Sequence, residues 1–251
     1  MSKYKVMTRK SLLGLEIDAV TLTEAVARVA AFVSQNGTHQ VVTLNPEYLY
    51  RARTEEDLQE IVRGASLVTA DGVGIVWAAR VLGVDVPERV TGIDLMLAIC
   101  EEASVRGWRV FFLGGRPGVA EEAAARLGGN FPGLAVAGTH HGYFTTEEEP
   151  AVLAKIKAVG PHVLFVGLGA PAQERWIYRN RVKLGVPVAM GVGGSFDVLS
   201  GKVKRAPVWM RRLGLEWLAR LIREPWRWRR MLVLPLFVLY VLKQRVCFLL
   251  K

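Results

Sequence analysis

Apolar positions along the chain fall into two rhythms: short β-branched runs, and longer stretches in which apolar residues recur every three or four positions. Ser11 to Ala19 reads as a strand or hairpin arm, and Thr21-x-x-Glu24 is a capping-box pattern that opens a helix to about Gln35. His39 to Leu44 is a β-branched strand, after which Asn45-Pro46 starts a helix with proline at a tolerated first-turn position. Leu67-Val68-Thr69 ends in Asp71-Gly72-Val73-Gly74 and passes into an apolar helical segment to Arg80. A polar loop from Val84 to Gly92, carrying Glu88, Arg89 and Thr91, leads into a helix from Ile93 to about Arg106.

The alternation then becomes regular. Strands are expected at Trp108–Leu113, Leu134–Gly138, His162–Gly167 and Val186–Gly191. Between them lie helices at Val119–Leu127, from Thr145-Thr146 with Glu148 and Glu149, and at Gln173–Leu184. This predicts an α/β fold: a Rossmann-like, largely parallel sheet with helices on both faces. After Gly201 the pattern changes. Trp209 to Arg223 sets Met210, Leu213, Trp217, Leu218, Leu221 and Ile222 on one helical face and Arg212, Glu216, Arg220 and Arg223 on the other. Pro225 interrupts it, and Trp226-Arg227-Trp228-Arg229-Arg230 leads into the apolar run Met231 to Leu242. Twelve apolar residues fall short of the roughly twenty needed to span a bilayer.

Charge divides the chain at the same place. Met1 to Gly201 holds 20 Lys/Arg against 21 Asp/Glu, whereas Lys202 to Lys251 holds 13 against Glu216 and Glu224 alone. The expected organisation is therefore a near-neutral α/β domain, 1–201, and a basic, Trp-rich amphipathic appendage, 202–251. An anionic partner is met through that appendage. Tryptophan interleaved with arginine beside a short apolar run suits the surface of an anionic membrane. Nucleic acid uses the same residue types but gives no reason for Leu232 to Leu242. Packing on the body, or a homo-oligomer in solution, is a competing use of the apolar face. An apolar content of 51% excludes disorder. Cys100 and Cys247 lie too far apart to suggest a metal site or disulfide framework. MSKYKVMTRK lacks the apolar core of a signal peptide, which fits a cytosolic chain.

Candidate chemistry sits at the strand ends. Thr43 near the end of one strand, Asn45 just after it and Asp71 after the next lie on the sheet edge where open parallel sheets bind ligands. The alternative for Asp71 is a plain helix N-cap, and at a helix N-terminus its charged form is favoured, making it a weak base. Three glycine-rich turns also end strands: Gly114-Gly115-Arg116-Pro117-Gly118, Gly167-Leu168-Gly169-Ala170-Pro171 and Gly191-Val192-Gly193-Gly194-Ser195. Together they favour a nucleotide or other phosphorylated ligand, with Gly114, Gly115, Gly169 and Gly193 presenting backbone N–H groups. Gly167-x-Gly169-x-x-Ala172 also matches a dinucleotide fingerprint, so an NAD-dependent oxidoreductase is the alternative enzyme. Against it, the strand that follows ends in Met190-Gly191 with no acid for a ribose hydroxyl. No Asp-x-Asp pair occurs, and His140-His141 has no partner pair, so no metal is expected.

These stretches resemble the WecG/TagA/CpsF family of bacterial glycosyltransferases. The resemblance is carried by Thr43-Leu44-Asn45-Pro46, Ala70-Asp71-Gly72, Arg89-Val90-Thr91-Gly92-x-Asp94 and Gly167-Leu168-Gly169-x-Pro171-x-Gln173-Glu174. Gly191 to Pro207, ending Lys204-Arg205-Ala206-Pro207, and Gly214-Leu215-Glu216-Trp217-Leu218 with Arg220-Leu221 and Glu224-Pro225 complete it. The resemblance implies a cytosolic peripheral membrane enzyme, inverting and metal-independent, that moves a sugar from a UDP-sugar to an undecaprenyl-diphosphate-linked acceptor. Well-known members transfer N-acetylmannosamine to lipid-linked N-acetylglucosamine for wall teichoic acid, and others build capsule or exopolysaccharide. By the same resemblance Asp71 is the catalytic base, and Thr43, Asn45, Arg89 and Gln173 line the pocket. Arg220, Arg227 and Arg230 reach the diphosphate. Read without the family, Arg89 pairs with Glu88 or Asp94, Gln173 caps its helix, and Thr43 is a half-buried strand residue.

Overall fold

Alternate residues of the strands point to opposite faces, and each face is closed by its own helices. The computed structural model describes residues 9–249, with the side chains of Arg212, Arg227, Phe248 and Leu249 outside that description. An antiparallel hairpin, β1 (Arg9–Leu12) and β2 (Leu15–Asp18), precedes α1 (Leu22–Val33) and β3 (His39–Leu44). The segment expected to hold one arm, Ser11 to Ala19, thus holds all of β2 and the end of β1, which starts two residues earlier. Next come α2 (Pro46–Arg51), α3 (Glu56–Gly64), β4 (Leu67–Ala70), α4 (Val73–Val81) and α5 (Gly92–Arg106). The second half runs β5 (Arg109–Gly114), α6 (Val119–Asn130), β6 (Ala135–His140), α7 (Glu149–Val159), β7 (Val163–Gly167), α8 (Ala172–Leu184), β8 (Val188–Gly191) and α9 (Ser195–Leu199).

β3 to β8 form one parallel sheet in the order β4-β3-β8-β7-β5-β6. Val41, Leu67, Val110, Phe112, Phe165 and Met190 face α1, α5 and α6. Val42, Leu44, Val68 and Ala70 face α2, α3 and α4, while Phe111, Leu113, Leu164 and Val166 face α7 and α8. The edge strand β4 is fully buried because the hairpin covers it, and Asp18 accepts the Val68 N–H at 2.8 Å and an Arg28 N–H at 2.6 Å. Several boundaries lie one to three residues from expectation, among them the start of β8 at Val188 and the end of α6 at Asn130. β6 runs on to His140, and α7 begins at Glu149 because Thr145 and Glu148 form a turn, the Glu148 carboxylate accepting the Thr145 N–H at 2.7 Å.

The tail is helical: α10 (Val208–Arg212), α11 (Glu216–Arg223), a 3-10 turn at Pro225–Arg227, α12 (Trp228–Met231) and α13 (Val233–Leu249). α13 lies against α2 and α4, burying Phe237 and Val241 in the same core as Leu44, Tyr48, Leu49, Ile75 and Ala78. Tyr240 meets Tyr50 edge-on at 6.4 Å, and the Arg53 guanidinium lies 4.2 Å from the Tyr240 ring and 4.6 Å from that of Tyr50. The opposite side of α13 exposes Leu236, Leu239, Leu242 and Val246. It is therefore apolar on the side it buries and on the side it shows. Among the described residues no helix is long and apolar enough to cross a membrane.

Candidate active site

β3 and β4 pair Thr43 with Thr69 and Leu44 with Ala70, so one step further Asn45 and Asp71 leave the sheet side by side. The Asp71 N–H donates to Leu44 O at 2.8 Å, tying the two turns together. Asn45 caps α2, its side-chain oxygen accepting the Tyr48 N–H at 2.9 Å. Asp71 caps nothing in α4. That helix starts at Val73 after Gly72 at the N-cap position, whose φ of 89° requires glycine, and has no side-chain cap. Asp71 turns instead to the start of α5, where Oδ2 accepts the Gly92 N–H at 3.4 Å.

The weak-base expectation is corrected here. Asp71 keeps part of its surface exposed yet lies deep among protein atoms, and this burial pushes its carboxyl up to about 7, against the opposing pull of the Gly92 N–H and Arg89. A carboxyl in that range is suited to taking a proton near neutrality. Thr43, also buried, stands close to it. A Cβ on Gly92 would meet Thr43 Oγ1 at 3.3 Å and Asp71 Oδ2 at 3.8 Å, so glycine there keeps both groups in place. A Gly92→Ala variant is accordingly expected to lose several-fold in turnover with a small change in thermal midpoint, measured side by side.

Arg89 pairs with neither Glu88 nor Asp94. Its Nη1 lies 3.2 Å from a Glu216 oxygen on α11, and Nη2 donates to Arg211 O at 3.4 Å. Glu88 accepts the Leu22 N–H at 2.8 Å, at the start of α1. Gln173 is 3% exposed. Its amide oxygen accepts the Gly193 N–H at 2.9 Å, and its nitrogen donates to Glu174 Oε1 at 2.7 Å. Burial pushes the Glu174 carboxyl up to about 7 as well, and Glu174 Oε2 has no hydrogen-bond partner.

The glycine turns differ from expectation in what their N–H groups do. Gly115 N–H donates to Gly167 O at 3.1 Å and Gly193 N–H to Gln173, so these two hold the edge together and are not free for phosphate. Gly114 is needed for close approach: a Cβ there would come within 2.5 Å of Gly167 O. Gly169, with φ of 81°, faces open space. The tail supplies the cations. Arg220 lies on the Gly194 backbone, where any Cβ would collide with its guanidinium, and its Nε is 3.3 Å from Glu224. Arg230 pairs with Glu47 of α2 at 2.8 Å, on the Asn45 side of the cleft. The Arg227 side chain lies outside the described residues.

The site therefore spans one sheet edge, from Asp71 at β4 through Thr43 and Asn45 at β3 and Gly193 with Arg220 at β8, to the turns after β7 and β5. At its far end a cleft of about 270 Å³ is lined by His140, His141, Glu148, Ala151, Val152 and Lys155. Glu216, Arg205 and Asp94, quoted above only as part of the resemblance, form ion pairs that lead to Arg89, a linkage the order of residues does not announce. The available signal was that the tail has two acids among 13 cations, and both now sit beside site arginines.

A model of the glycosyl transferase WecG/TagA/CpsF family matches residues 10–249, the sheet edge and the tail together. The chain belongs to this family. It is 37% identical over 238 residues to the N-acetylglucosaminyldiphosphoundecaprenol N-acetyl-beta-D-mannosaminyltransferase of Bacillus spizizenii, covering 94% of this chain and 92% of that one. Proteins of the same name from Bacillus subtilis and Staphylococcus aureus are each 35% identical, over 85% and 93% of this chain and 82% and 92% of theirs. Membership in a glycosyl transferase family displaces the oxidoreductase and nucleic-acid readings. The position where a dinucleotide site would carry its acid is Gly191, packed against Gln173 and Glu174.

Proposed function

We propose that this protein transfers an N-acetylmannosaminyl group from a UDP-sugar to undecaprenyl-diphosphate-linked N-acetylglucosamine, for cell-wall or surface polysaccharide, with inversion and without a metal. The observation that carries the mechanism is Asp71: a carboxyl held near neutrality by burial, beside Thr43 and the start of α5. It takes the proton of the acceptor hydroxyl as that oxygen attacks the anomeric carbon and the UDP oxygen departs. One displacement inverts the centre. Retention through a glycosyl-enzyme would call for a second group as nucleophile.

The strand order supports an extended donor. Four strand steps separate Asp71 on β4 from Gly114 on β5, about 19 Å at the usual interstrand spacing, which suits a nucleoside diphosphate sugar lying along the edge. In this arrangement the sugar is at Thr43 and Asn45, the diphosphate beside Gly193, Gly194 and Arg220, and the nucleoside towards Gly114, Gly169 and the His140 cleft. Arginine suits the leaving diphosphate because its charge is permanent and its N–H groups pair with two oxygens. Among the described residues no cluster of three His, Cys, Asp or Glu is available to hold a metal. Turnover of a UDP-sugar panel with a lipid-diphosphate-GlcNAc acceptor is the test. Activity confined to UDP-N-acetylmannosamine and unaffected by chelator is expected, and loss on chelation overturns the metal-free reading.

The inner membrane face is the proposed site of action. α11 turns Glu216 and Arg220 towards the site, while Trp217 and Ile222 face outward with Leu213, Trp226, Trp228, Leu232 and Leu239. An outward apolar surface beside Arg229 and Arg230 fits the headgroup layer of an anionic membrane. A Trp226→Ala, Leu239→Glu double variant should bind phosphatidylglycerol vesicles about tenfold more weakly, with its thermal midpoint unchanged. Unchanged vesicle binding, with self-association reduced in sedimentation, would assign the surface to a second copy instead.

A further inference from the structure

Glu216 opens α11, where its carboxylate bridges two cations. Oε2 lies 3.2 Å from Arg89 Nη1, and Oε1 lies 3.7 Å from Arg205 Nε. Arg205 Nη2 continues to Asp94 Oδ1 at 2.6 Å, and Asp94 Oδ2 accepts the Thr91 hydroxyl at 2.6 Å, at the cap of the helix whose first N–H reaches Asp71. A ring of charges thus runs from the base, through the start of α5, into the tail and back to Arg89. Behind it Gly214, with φ of 71°, presses on Val73, the first residue of α4.

Resting on the reading of Asp71 as the base, we propose that Glu216 is a positioning residue. It holds the Arg89 guanidinium off the Asp71 carboxylate, so that the docked tail sets how readily the base accepts a proton. The charged groups that bear on Asp71 are Arg89 from the loop before α5, Asp94 from the first turn of α5, and Glu216 from α11. Arg89 lowers the proton affinity of Asp71, whereas Glu216 and Asp94 raise it. With Glu216 neutralised, Arg89 is left to Asp71 and the Arg211 carbonyl, and the carboxylate becomes a poorer base. With Arg205 neutralised, Glu216 and Asp94 both lose a counter-charge and the shift reverses.

This opposition separates positioning from simple docking. If Glu216 and Arg205 only fasten the tail, removing either loosens it, lets water reach Asp71 and moves the carboxyl downward in both cases. The experiment is the pH profile of kcat/KM for the full-length enzyme with UDP-N-acetylmannosamine and a lipid-diphosphate-GlcNAc acceptor. The Glu216→Gln variant should move the acidic midpoint down, Arg205→Gln should move it up, each by about one pH unit, and Glu216→Asp should restore the wild-type value. With Asp71→Asn inactive, midpoints that stay still or move together overturn the proposal alone. Near-normal turnover of Asp71→Asn removes the base reading and this inference with it.

Discussion

Asp71→Asn should lower turnover by about a hundredfold or more, with UDP binding retained, because the amide keeps the shape of the site but cannot take the acceptor proton. The same variant should be more stable than wild type at alkaline pH, which a role in holding the fold would not produce. The sign follows from burial. The folded carboxyl sits at about 7, above the value of about 3.9 for an unfolded aspartate. The folded state therefore holds a proton that the unfolded state has lost between these limits, and wild-type stability falls as pH rises from about 4 towards 7. The amide has no such dependence. Part of the Asp71 surface is exposed, so the difference at pH 8 is put at about 2 kcal/mol, below the full shift. Matched denaturant titrations at pH 4.5 and pH 8 measure it. Equal pH dependence of the two proteins would show a carboxylate that water already reaches, and turnover near wild type would remove Asp71 from the chemistry.

The second large effect is on stability. Phe237→Ala should cost about 3–5 kcal/mol, the range for truncating a buried aromatic side chain. Phe237 is 1% exposed and sits among Leu44, Tyr48 and Ile75, beneath the turn that carries Asn45. Its neighbour Leu236, on the outward side, is 46% exposed, and Leu236→Ala should change stability by less than about 0.5 kcal/mol. Urea titration of both variants makes the comparison. A small loss for Phe237→Ala would mean that α13 is a detachable anchor. The expected loss also bears on tail deletion: removing residues 202–251 uncovers Tyr48, Leu49 and Ile75, so loss of activity in such a truncation reports on α2 and α4 as well as on membrane contact.

Much of the sheet was legible because its strands, apart from the partly exposed edge strand β6, are buried on both faces and carry β-branched runs ended by glycine or a polar residue. The partners of those residues were less legible. Asn45 caps its helix, but Asp71, in the same kind of position and with a cap as its alternative reading, does not, because glycine follows it and α4 begins one residue later. Gly115 and Gly193 were expected to offer N–H groups to phosphate, yet each N–H is taken by a neighbouring strand or helix. A glycine in a turn shows that the backbone must bend or come close, and leaves the recipient of its donor open. The tail was harder still. An apolar run without a polar side carries no periodicity to say which residues enter a core, so Phe237 and Val241 could not be told from Leu236 and Leu239. The Glu216–Arg89 pair joins segments far apart in the chain, and no local pattern announces it.

The last helix is bolted to α2 by Phe237, Val241 and the Arg53 guanidinium gripped between Tyr50 and Tyr240, while its other side is greasy. Should that outer side sink into acyl chains, the turn bearing Asn45 would be carried at a fixed height over the bilayer. The fold would then act as a depth gauge, admitting a sugar that projects from its lipid by one particular length and leaving shorter or longer headgroups out of reach.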